Sequence, residues 1–84
     1  MEDTFLINRI YNSLNEICKE NNIERVKNIT FVVGNDSDLN KKNICDYFEQ
    51  NKSELIGKWT NINMKIENFD NNIAIIHSLE GEDK

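Results

Sequence analysis

Apolar residues recur along this chain with two different periods, and the changes of period divide it into elements. From Thr4 to Glu20 the period is helical. At about 100° per residue, Leu6, Ile7, Ile10, Tyr11, Leu14, Ile17 and Cys18 fill one arc. Asn8, Arg9, Asn12, Ser13, Asn15, Glu16, Lys19 and Glu20 fill the other. The pattern predicts an amphipathic helix over residues 4–20, capped by Thr4 or Asp3 and ended by Asn21-Asn22, whose side chains tolerate the left-handed conformation. Such a stripe is core packing in search of a sheet.

The stretch Arg25 to Ser37 then changes period. It is rich in β-branched and aromatic residues, places Ile29, Phe31 and Val33 on one face, and closes on Gly34 and the turn formers Asn35, Asp36 and Ser37. With helical patterns on both sides, it reads as the central strand. Asn40 can cap a second helix running to about Ser53, with Ile44, Tyr47, Phe48 and Leu55 on one side and Asn51 interrupting them. Gly57 marks a break. Trp59 to Phe69 resumes period-two alternation, with Ile62, Met64 and Ile66 opposite Asn61, Asn63, Lys65 and Glu67. Asp70-Asn71-Asn72 reads as a short turn and Ile73 to Leu79 as a third strand, so the second and third strands are expected to form an antiparallel hairpin. Glu80 to Lys84 is expected to be a flexible acidic tail.

The order helix, strand, helix, strand, strand predicts an α/β fold, with two helices packed on one face of a three-stranded mixed sheet (α-β-α-β-β). The strand–helix–strand unit over residues 26–69 favours a right-handed crossover. At 84 residues the chain is expected to be a single domain, residues 1–84, with a small core.

Composition narrows the function. Fifteen acidic against ten basic residues leave a net charge of -5, and the basic residues are scattered without a stripe, which disfavours nucleic acid and anionic membranes as partners. No apolar run approaches a membrane span, and Met1-Glu2-Asp3-Thr4 is acidic where a signal peptide would be basic, so the expected location is the cytoplasm. Cys18 and Cys45 lie beside apolar helical stripes, far from any Cys-x-x-Cys spacing, and read as buried thiols rather than a disulfide or metal pair. His77, the single histidine, sits on a predicted strand and reads as a partly buried or solvent-facing side chain before a ligand. Ser37 has no identifiable histidine partner and there is no glycine-rich phosphate loop, so the chain is not expected to be an enzyme.

Met1-Glu2-Asp3 ahead of an amphipathic helix, Arg25-Val26 opening a strand that ends at Gly34 and Ser37, Phe48-Glu49 in the second helix, the alternating Ile62 to Glu67, and the closing Ser78-Leu79-Glu80 occur in an order and spacing that resembles the HypA nickel metallochaperones of hydrogenase and urease maturation. The resemblance spans almost the whole chain and implies the nickel-binding domain of that family. Three positions depart from its pattern. Where the family inserts a zinc module with two Cys-x-x-Cys pairs, only Asp70-Asn71-Asn72 stands, so no structural zinc is expected. The family's histidine after the initiator methionine is Glu2. The carboxylate at the start of the second helix is Asn40.

The metal donors the resemblance leaves at the terminus are Met1, Glu2 and Asp3, an amine and two carboxylates. Carboxylates are harder than nickel prefers, and Glu2 with Asp3 also reads as a charge-favourable entrance to the helix. Two functions follow as expectations. One is a HypA-like accessory protein that delivers nickel or docks on a maturation GTPase or the hydrogenase large subunit. The other is a metal-independent adaptor or regulatory domain that kept the fold and lost the nickel and zinc ligands.

Overall fold

The computed structural model describes residues 4–68, 70 and 73–83. The chain runs as α1 (Thr4–Glu20), β1 (Ile23–Gly34), α2 (Lys41–Gln50), β2 (Asn61–Glu67) and β3 (Ala74–Asp83). The class is the predicted one: two helices over a three-stranded mixed sheet. The predicted cap Asp3, the strand end Phe69, the turn residues Asn71 and Asn72, and Lys84 lie outside the described residues.

α1 keeps its predicted bounds because its stripe has a sheet to cover: Leu6, Ile7, Ile10, Leu14 and Cys18 are all buried. Asn22 adopts the left-handed conformation at φ 56°, and its backbone N–H turns back to the Lys19 carbonyl at 3.4 Å, which stops the helix where the paired asparagines predict. α2 begins on its predicted cap. The Asn40 side chain accepts from the Asn43 N–H at 2.9 Å.

The end of α2 differs from the expected Ser53. Lys52 turns left-handed at φ 56°, and the Lys52 and Ser53 N–H groups fold back to the Glu49 and Phe48 carbonyls at 3.0 and 2.9 Å. That pair of bonds is a Schellman closure. The Asn51 amide donates to the Tyr47 carbonyl at 2.7 Å and so competes locally for the last turn. Leu55 therefore lies beyond the helix, and Ile56 reaches the core from the segment leading to β2.

The sheet order is β2-β1-β3. β1 is central, as predicted, parallel to β2 and antiparallel to β3. The expected hairpin between the second and third strands does not form: they occupy opposite edges. β2 ends with Glu67 level with Gly34 and β3 begins with Ala74 level with Val33, so both strand ends lie beside the C-terminal end of β1. Two strand spacings are about 10 Å, well within the ~20 Å that six extended residues reach. β1 then offers β3 a second full edge, which gives the mixed sheet.

The other corrections concern strand ends and faces. β1 starts at Ile23, ahead of the expected Arg25, and its pairing with β3 shifts register between Val26 and Asn28. That bulge lets Val26 and Ile29, three apart, both face the helices at 0% exposure. Residues Glu80 to Asp83, expected in the flexible tail, continue β3 and pair with β1 as far as Ile23. Their acidity is compatible with a strand because alternate side chains of an edge strand face water. β2 begins at Asn61, after Trp59. Ile66 is in register with the buried Val33 yet 65% exposed. Seven strand residues span about 23 Å, more than the ~15 Å of a ten-residue helix, so one end of the edge strand is left uncovered.

A single core joins α1, α2 and the sheet's inner face around Phe31, Phe48, Leu14, Ile29 and Ile44. Tyr11 locks the helices together, 5.5 Å from the Tyr47 ring and 4.9 Å from that of Phe48. The Tyr47 hydroxyl donates to Asn8 Oδ1 at 2.8 Å. The sheet's outer face is largely polar. Asn61 donates to Asn28 Oδ1 at 3.1 Å and Asn28 to Glu80 Oε1 at 3.0 Å, a ladder across all three strands.

Candidate functional site

The predicted metal donors Met1, Glu2 and Asp3 lie outside the described residues, so the surface beside them is defined by the first turns of α1. Phe5, which belongs to neither arc of the predicted stripe, is 71% exposed there, with the Arg9 guanidinium 5.9 Å from its ring centroid. Next to it, with Arg9 shared between the two, a groove of about 270 Å³ runs between α1 and the start of β3, lined by Leu6, Arg9, Ile10, Ile73, Ala74 and Ile76. An apolar residue off the helical stripe was the signal in the sequence that this end of α1 has a second surface.

The start of α2 is a tight polar turn. Ser37 N–H donates to the Gly34 carbonyl at 3.1 Å, the Leu39 N–H donates to Ser37 Oγ at 3.3 Å, and the Asn43 amide reaches the Asp38 carbonyl at 3.0 Å. Asn40, the position where the resemblance implied a lost carboxylate, uses its side-chain oxygen as the helix cap. Ser37 is likewise a turn residue here.

The other sequence candidates are dispersed. Cys18 is buried and burial pushes its thiol up. Cys45 is only half-buried, a correction to its expected burial, and its thiol is also raised, by burial and then by the nearby Asp46 and Glu49 carboxylates, with Lys41 acting the other way. Both are thus held toward the protonated form, which is the weaker nucleophile and metal donor. His77 is exposed on β3, at the register shift opposite Thr30 and Phe31. Among the described residues no three His, Cys, Asp or Glu side chains converge to hold a metal ion, and no helix is long and apolar enough to cross a membrane.

No family model matches the chain, and no curated protein matches it. Among solved structures, the solution structure of the Ni metallochaperone HypA from Helicobacter pylori superposes with a TM-score of 0.68, covering 100% of both chains at 14% identity. The fold is HypA-like. At that identity the likeness carries the architecture and no ligand.

The structure also brings together groups that the sequence left apart. The Arg25 guanidinium lies 5.2 Å from the Trp59 ring centroid. Thr60 donates its hydroxyl to the Val26 carbonyl at 2.7 Å while accepting from the Gly57 N–H at 3.2 Å. These contacts clamp the segment after α2 against the bulge in β1, and nothing in the local pattern around Thr60 distinguishes it from other loop hydroxyls.

Proposed function

We propose that this protein is a HypA-like accessory factor in the maturation of nickel enzymes, of the [NiFe] hydrogenase or urease kind, and that it acts by binding rather than by catalysis. Nickel is its cargo, held weakly at the chain start by the Met1 amine with the Glu2 and Asp3 carboxylates, and its docking partner is a maturation GTPase or the hydrogenase large subunit. The observation that carries this reading is the fold likeness to a nickel metallochaperone over the full length of the chain. A second reading, a metal-independent adaptor on the same fold, draws support from Asn40, whose oxygen is committed to capping α2.

Calorimetric nickel titration separates the two. Weak stoichiometric binding is expected for the parent chain and clear tightening for Glu2→His, because an imidazole beside the amine and backbone amides supplies the nitrogen donors nickel prefers. Residues added ahead of Met1 should abolish the gain, since they remove the free amine. If Glu2→His binds no better than the parent, the likeness is one of fold only and the adaptor reading takes over.

A further inference from the structure

The outer edge of β3 is a strand-pairing site that neither reading of the function uses. β3 is ten residues long and lies at the edge of the sheet, so alternate backbone N–H and C=O groups on its outer side point away from β1. Edges of this kind are usually blunted by proline, by lysine, by shortness or by bulges. β2, at the other edge, is shorter and carries Lys65 within it. β3 has neither proline nor lysine. Its own bulge falls at His77, between the Ile76 and Ser78 pairings, whereas the other two irregularities insert residues into β1. Ser78 to Asp83 is therefore an uninterrupted edge.

Register sets the chemistry of what fits there. Leu79 pairs with Ile29 and Gly81 with Val26, both fully buried on the helix side. Ser78, Glu80 and Glu82 accordingly share the outer face, and Glu80 is tied to Asn28 on that face. A strand added outside β3 would place alternate residues beside Leu79 and Gly81, toward the helices, and the others beside Glu80 and Glu82. We infer that the edge Ser78 to Asp83 binds a short extended segment of a partner protein that alternates apolar and basic residues, the basic ones opposite Glu80 and Glu82. A second copy of this chain fits poorly: β3 carries Glu80, Glu82 and Asp83 and no lysine or arginine, so pairing it with itself brings two acidic strands together, between two molecules that each carry a net charge of -5. The acidic face thus guards against self-pairing and favours a cationic strand. This inference does not depend on nickel.

The test is a nuclear magnetic resonance titration of the 84-residue chain with the blocked synthetic peptide Lys-Val-Lys-Val-Lys-Thr. Amide shifts and slowed hydrogen exchange confined to Ser78–Asp83 are expected. Binding should weaken at high salt, fall by roughly fivefold in Glu82→Lys, and vanish for the same peptide N-methylated at alternate residues, which removes the ladder donors without touching the protein. Glu82 is exposed, so that variant should melt like the parent. The inference is overturned by shifts on β2 instead of β3, by equal binding of the N-methylated peptide, by no response at millimolar peptide, or by a free chain that is already dimeric with the β3 amides protected.

Discussion

Phe31 is the residue on which the core turns. It sits at 0% exposure on the central strand, among side chains from both helices and the flanking strands. Phe31→Ala should cost about 3–5 kcal/mol, the usual range for emptying a buried aromatic site, read as a loss in denaturant or thermal stability; a variant that melts like the parent would contradict its placement. Gly81 makes a different demand. Its φ is not positive, but a Cβ there would strike the Ile23 side chain and lie 2.8 Å from the Arg25 carbonyl oxygen. Because one of those atoms is backbone, β1 would have to shift, and Gly81→Ala should destabilise the chain by roughly 1–3 kcal/mol through overpacking. Neutral behaviour in a melt would show that the β1–β3 pairing is looser there. The two residues differ in legibility. Phe31 could be read from alternation, whereas the need for glycine at 81 depends on a partner strand more than fifty residues away in the chain.

At the scale of elements, α2 offers the sharpest test, because its first turn combines a structural role with a lost-ligand expectation. Asn40→Ala removes the acceptor for the Asn43 N–H and should cost about 1 kcal/mol. Asn40→Asp keeps the cap and adds negative charge at a helix N-terminus, so it should be neutral or stabilising by up to about 1 kcal/mol. Urea unfolding of the pair checks this; a marked loss in Asn40→Asp would mean the carboxylate is repelled there, with Asp38 the nearest candidate. The consequence reaches the functional question. A gain of nickel affinity in Asn40→Asp counts only if it exceeds what a better-ordered helix start would produce, which Glu2→His, in front of α1, avoids.

The whole molecule should fold without zinc. β2 ends and β3 begins at the same end of β1, and the core that joins the helices to the sheet is apolar. Melting with and without a strong chelator, after elemental analysis of the purified protein, should give the same midpoint. One tightly held zinc per chain, or a chelator-induced loss of stability, would refute it.

The sequence alone determined the existence and type of all five elements, most inward residues of α1, the inward Ile29, Phe31 and Val33 of β1, the Asn40 cap and the order that makes the fold α/β. These depend on local relations, a period of 3.6 or 2 and a cap three residues from its donor, which a single stretch of chain contains. Only the tertiary structure decided which strands pair, where β1 bulges and how far β3 extends. Asp70-Asn71-Asn72 is compatible with a hairpin or with a crossing, and the choice rests on the free edge that β1 offers once β2 has docked beside it. Glu80 to Asp83 looks like a solvated tail when taken alone and becomes a strand because β1 continues opposite it to Ile23. Ile66 follows the alternation of its strand and is still exposed, since period two assigns a face, while burial requires something long enough to cover it.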